Sequence, residues 1–241
     1  RRLSENGNLT TVTGRQIVRE LEYASNGTVG FYSGYETLDV SPSDVLTSAT
    51  FSYKQMAGNV TISGLEQIQN SGTEAVINLL ESRIGVLEKT MSNILSTSLY
   101  SDGTGTNGKE VGGLQLLVAD AGTGTVGGIN SSTFTFFQNV QTTATSSAFS
   151  TTNIQSDMNT IYLSLVRGAD SPDLIMADTN AYKSFLGSLQ AIQRVTSDRV
   201  ASSGFTSVQY LNSDVIFDDA CPANKMYFLN TDYLRLEVAA N

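Results

Sequence analysis

Histidine is absent from this 241-residue chain, and cysteine occurs once, at Cys221. The first absence removes the commonest general base and the commonest metal ligand, and the second removes any disulfide within the chain. With no histidine to pair with, Cys221 is expected to be a small buried hydrophobe and not a nucleophile. Charge is sparse too, at 15% against 40% hydrophobic residues. That leaves enough apolar material for a core, under a surface made largely of Ser, Thr, Asn, Gln and Gly. Such a surface suits broad, weakly polar contacts between subunits, because a charge kept out of an interface need not be desolvated. The formal net charge is −9, so the body of the protein repels phosphate backbones and a dedicated nucleic-acid reader is not expected. Long apolar runs are missing, and the opening RRLSENGNLT lacks the apolar centre of a signal peptide. Neither a membrane span nor secretion is expected, and a cytoplasmic site of synthesis is.

Four of the fourteen basic residues, Arg1, Arg2, Arg15 and Arg19, fall near the start, which makes residues 1–30 a locally basic, solvated arm. A short helix from Thr13 to Ala24 would place Ile17, Val18 and Leu21 on one side. Residues 34–40 and 47–63 alternate and are rich in Thr, Val, Tyr and Phe, with the turn signal SPSD at Ser41–Asp44 between them. This reads as a long two-stranded hairpin with a slip near Gly58. Two strands cannot bury both faces, so the hairpin needs something else to lie on.

Ile77, Leu80, Ile84, Leu87, Met91 and Ile94 follow at alternating steps of three and four, which predicts a helix from Thr73 to Leu99. Ser71 or Thr73 would cap it, and SDGTGTNG at Ser101–Gly108 would end it. At 1.5 Å per residue such a helix is a rod of roughly 38 Å. After the apolar run Leu114–Ala119, the Gly- and Thr-rich AGTGTVGGINSSTF reads as a flexible loop. It lacks the GK[ST] ending of a phosphate-binding loop. The second half predicts helices at 153–167 and 179–189, with strands at 173–177, 208–211, 214–217, 226–229 and 233–238. This is an α+β arrangement around one sheet.

Chemistry has few parts here. Asp218 and Asp219 are adjacent, so on a strand they would face opposite ways, and the Ala220-Cys221-Pro222 that follows reads as a turn. Glu81 and Glu88 share the long helix but have no third ligand. The five lysines, at 54, 89, 109, 183 and 225, lie in no S-x-x-K pattern, and there is no G-x-S-x-G elbow. No catalytic residue, metal or cofactor is expected.

The stretch FSYKQMAGNVTISGLEQIQNSGTEAVINLLESRIGVLEKTMSNILSTSLYSDGTG, from Phe51 to Gly105, resembles the hairpin strand, the I-S-x-x-E-like junction and the spine helix of the major capsid proteins of tailed bacteriophages. That family has the Hong Kong phage-type, or Johnson, fold. GGLQLLVADAGTGTVGGINSSTFTFFQNV, from Gly112 to Val140, is similar to the family's GL…GGI-N/D…W stretch, with Phe136 and Phe137 where tryptophan is common. The resemblance implies an amino-terminal arm at 1–30, an extended loop at 31–65 and a peripheral domain with the spine helix at 66–140. It further implies an axial domain at 141–230 and a return to the peripheral domain at 231–241.

It also implies a non-enzymatic subunit that self-assembles into pentamers and hexamers of an icosahedral head, assembled in the host cytoplasm around double-stranded DNA held non-specifically. Portal, scaffold or decoration proteins would be partners. Phe51, Tyr53, Lys54, Glu66, Arg15 and Arg19 are the expected inter-subunit contacts. Lys54 is the one lysine of the extended loop but lies within a strand, so a crosslink through it is not expected, and Glu66 is read as a structural residue at the junction. Three other readings remain: an encapsulin-like shell, a secreted or surface adhesive β-rich protein, and an enzyme working without histidine. The first would differ in cargo, the second fits poorly with a long helix, and the third would need a cluster of perturbed Asp, Glu and Lys at a pocket.

Overall fold

A computed structural model describes residues 9–71, 79–145, 147–189 and 208–240. Arg1, Arg2 and residues 73–78 of the expected long helix lie outside the described residues. The architecture is mixed α+β, built around one four-stranded sheet. Its strands are β6 (Leu174–Ala177), β7 (Val208–Tyr210), β8 (Ser213–Phe217) and β9 (Met226–Leu229), in the order β7-β8-β6-β9. β6 runs parallel to β8 and antiparallel to β9, with Leu174 opposite both Asp214 and Leu229.

Both faces of this sheet are covered, which is why β6 reads as the continuous apolar run LIMA instead of alternating with polar residues. On one face Ile175 and Val215 meet helix α4 (Ile154–Leu165) and helix α5 (Thr179–Ser188) through Ile154, Met158 and Phe185. Ile154, Met158 and Tyr162 recur every fourth residue, so they form one buried stripe on α4. On the other face Leu174, Tyr227 and Leu229 meet Tyr100 and Cys221. Asp178 caps α5 by accepting from the Ala181 N–H at 2.9 Å, and it also accepts from the Asn224 N–H at 2.8 Å. The helix and strand expectations of the second half hold to within a few residues at each end. The last strand is shifted to β10 (Leu236–Ala239), which pairs in parallel with β1 (Leu9–Val12).

Three expectations for the first half are corrected. Residues 17–22 form a strand, β2 (Ile17–Glu22), and not a helix; exposure alternates strictly along it, with Ile17, Arg19 and Leu21 on the more buried side. Its partner is β3 (Leu46–Phe51), with Ile17 opposite Phe51 and Glu22 opposite Leu46. The hairpin is therefore β2–β3. Residues 34–40 are not a strand but part of the long connection, and Ser41–Asp44 sits near its end and not at its tip.

Beyond Phe51 the chain runs as an irregular strap along helix α2 (Leu79–Ser98), which follows the short helix α1 (Gly64–Gln69). At Gly58, where a bulge was expected, the strap approaches α2 so closely that a Cβ would lie 2.5 Å from Leu87 Cδ1. The third correction concerns the Gly- and Thr-rich stretch, which is a tight hairpin of β4 (Thr125–Val126) and β5 (Ile129–Asn130). Gly127 and Gly128 turn it with φ of +57° and +84°, the left-handed pair that a two-residue hairpin turn requires.

Candidate interaction surface

The β2–β3 hairpin is moored at its base. Ala49 is buried against the β4–β5 turn, where the Thr50 N–H donates to the Gly127 carbonyl at 2.9 Å. Tyr23, just beyond β2, stacks on Phe136 with ring centroids 5.1 Å apart. Arg19 pairs with Glu237 of β10.

Past these moorings and the Tyr23–Asp44 side-chain hydrogen bond, the described hydrogen bonds of residues 24–43 are local, such as Glu36 N–H to the Ser33 carbonyl at 2.9 Å and Ser41 Oγ to Asp39 at 2.6 Å. The Ser41 contacts hold the Asp39 carboxyl below its usual range. This connection presents Val29, Phe31, Tyr32, Tyr35, Leu38 and Val40 to solvent, with Phe31 at 109% and Tyr35 at 107% relative exposure. Helix α2, 20 residues and about 30 Å long, buries no residue fully and leaves Leu80, Ile84, Val86, Ile94 and Leu95 exposed. Exposed apolar side chains gathered in this way are typical of interaction surfaces.

Searches against protein-family models and curated proteins find no match. Among solved structures, the chain is similar to a chain of the cyanophage A-1(L) capsid asymmetric unit, at a TM-score of 0.67 and 19% identity. The match covers 95% of this chain and 70% of that one. The chain has the fold of a bacteriophage capsid protein.

On this capsid-protein fold the expected contact residues do not gather in one place. Phe51 is half-buried beside Gly127, and Tyr53 has a buried hydroxyl without a hydrogen-bond partner. Lys54 Nζ donates to the Gly108 carbonyl across the strap. Glu66 closes a capping box with Ser63 and pairs with Arg83 at 2.6 Å, which together hold its carboxyl below the usual range. Arg19 faces Glu237, and Arg15 is exposed between β1 and β2. The residues that sequence reasoning passed over are Phe31, Tyr32, Tyr35 and Leu38. Their signal is the aromatic-rich GFYSGYETLDV, which has no period and which no neighbouring layer among the described residues covers.

The chemical groups are taken up structurally. Asp218 accepts from the Tyr100 hydroxyl at 2.6 Å and from the Ala220 N–H at 2.9 Å, while Asp219 is exposed. Burial and then Asp218 push the Tyr100 phenol far up. Burial, then Asp178 and Asp218, push the Cys221 thiol up to about 12, which disfavours the thiolate. A cleft of about 310 Å³ lies beside α4 and β9. Of its carboxylates, Asp120 pairs with Lys225 and Asp157 accepts from the Thr145 N–H at 3.0 Å. Among the described residues no group of three or more His, Cys, Asp or Glu could hold a metal ion, and no helix is long and apolar enough to cross a membrane.

Proposed function

We propose that the chain is a shell-building capsid subunit of the Hong Kong phage type, which assembles into pentamers and hexamers of an icosahedral head. The observation that carries this reading is the apolar connection 24–44 projecting from a moored hairpin on a capsid-protein fold. Fully burying one of its large apolar side chains is worth about 1.5–3 kcal/mol, and a shell repeats each such contact many times. The connection lies over a neighbouring subunit, and the apolar face of α2 is the surface it covers there. This gives the hairpin an outer support that its own chain does not provide.

We propose the same division as the resemblance implies, with two adjustments, at the start of the extended loop and at the return of the chain end, which goes to the arm instead of the peripheral domain. The extended loop begins at Ile17 instead of residue 31, so the arm is shorter; 66–140 is the peripheral domain, 141–230 the axial domain, and β10 the return of the chain to the arm. Sparse charge lets contacts rearrange without large desolvation costs, and the −9 net charge leaves packaged DNA loosely held. Portal, scaffold or decoration proteins complete the particle, and the protein resides in the virion.

Negative-stain electron microscopy of the purified protein, with mass photometry, tests this. Closed angular shells or rings of five and six subunits are the expected result, and nucleic acid inside particles from the producing cell would separate a phage head from an enzyme-filled compartment. A monomer that persists under every assembly condition would overturn the proposal.

A further inference from the structure

Among the described residues, five buried side-chain N or O atoms lack a hydrogen-bond partner, and three of them belong to one junction: Thr10 Oγ1, Arg19 Nε and Glu237 Oε2. Thr10 of β1 lies directly opposite Glu237 of β10 in the parallel register, and Arg19 of β2 pairs with the same Glu237. The Glu237 side chain is 10% exposed, whereas that of Arg19 is 41% exposed with its Nε buried. The amino-terminal strand, the carboxyl-terminal strand and the hairpin base therefore meet on one carboxylate. Interiors normally pair their polar groups, and here three elements depend on one carboxylate to do so. The other moorings of the hairpin are of a different kind. Ala49 against Gly127 is a close backbone approach about which a ribbon can turn, and the Tyr23–Phe136 stack can slide.

We propose that Arg19 and Glu237 form a releasable pin, which sets the angle of the β2–β3 hairpin and couples it to the pairing of β1 with β10. With the pin closed, the hairpin and the β1–β10 pair form one unit. With it open, the Glu237 carboxylate reaches solvent, the two-stranded β1–β10 pair loses its brace, and the hairpin turns as a ribbon about the Ala49–Gly127 contact. A two-stranded pair has little stability of its own, so its protection reports directly on the pin. The inference concerns the isolated chain and stands apart from whether it builds a shell.

Hydrogen exchange read by mass spectrometry on the full chain tests it, using the parent, Arg19→Gln, Glu237→Gln and the charge-swapped pair Arg19→Glu with Glu237→Arg. Each single variant is expected to speed exchange at 236–240 by about tenfold or more, as for loss of a charge-assisted hydrogen bond, while the Thr50 amide at the pivot keeps the parent rate. Amides paired within β2–β3, and those of β6 and β9, keep the parent rate, while the swapped pair returns toward it. Three results would overturn the proposal: single variants that exchange like the parent, a uniform loss of protection that includes β6 and β9, or a swapped pair that restores nothing.

Discussion

Gly127 is the position at which the mooring of the hairpin can be tested most sharply. Its φ of +57° is in the left-handed region, where an L-residue costs about 1–2 kcal/mol. A Cβ there would lie 2.6 Å from Ala49 Cβ and 3.1 Å from Phe51 Cζ, and overpacking of this kind costs about 1–3 kcal/mol. Gly127→Ala should therefore destabilise by about 2–5 kcal/mol. The neighbouring Gly128 separates the two contributions, because its φ is +84° while its nearest contact is Thr50 Oγ1 at 3.8 Å. Gly128→Ala should show only the backbone cost, about 1–2 kcal/mol. The assay is urea unfolding followed by far-UV circular dichroism, since the chain has no tryptophan, together with exchange of the Thr50 amide that donates to the Gly127 carbonyl. Adding Ala49→Gly to Gly127→Ala should recover about 1 kcal/mol beyond additivity by removing the closest contact. If Gly127→Ala is no more destabilising than Gly128→Ala, the hairpin is not seated on the β4–β5 turn as described.

Four further outcomes are expected. Replacing Phe31 and Tyr35 together by Ser should leave monomer stability within about 0.5 kcal/mol while raising the concentration needed for assembly by about tenfold or more, measured by light scattering; unchanged assembly would remove the connection from the interface. Asp178→Ala should cost about 2–4 kcal/mol in urea unfolding, because it uncaps α5 and strands the Asn224 N–H; a change below about 0.5 kcal/mol would refute the double role. Cys221 should resist a disulfide reagent in the native protein and react once the chain is unfolded in urea, and a fast native reaction would contradict its burial. Burial pushes the phenols of Tyr210 and Tyr227 up to about 12 from 10.0, and the Cys221 thiol up to about 12 from 9.0. The folded state keeps these protons where the unfolded chain releases them, so stability is intact below about pH 9 and falls as pH rises toward 12. A urea midpoint that is equal at pH 8 and pH 11 would argue against that.

How much of this was legible in the sequence depended on how far away each residue's partner lay. The stripe of α2, the fourth-residue spacing of α4 and the LIMA run of β6 were readable because each records a single face, or two covered faces, in local order. Segment 17–22 was misread because Ile17, Val18 and Leu21 fit a helical face as well as anything, and Arg19 looked like a polar residue turned to solvent. What turns Arg19 inward is Glu237, 218 positions along the chain, and no local pattern can announce it. The Gly127-Gly128 pair was a readable hairpin signal that the surrounding Gly and Thr obscured.

The expected contact residues are spread over several elements of the chain. Phe51, Tyr53, Lys54 and Glu66 lie in the stretch that carries the resemblance between Phe51 and Gly105, and within the chain Phe51, Lys54 and Glu66 lie against Gly127, Gly108 and Arg83. The residues left for a partner, Phe31 to Leu38, lie just upstream of that stretch. A segment whose only cover is another molecule is under no constraint to alternate or to repeat every third or fourth residue. Its signature is composition without period: aromatic residues set among glycines, in a chain with little charge to keep them in solution.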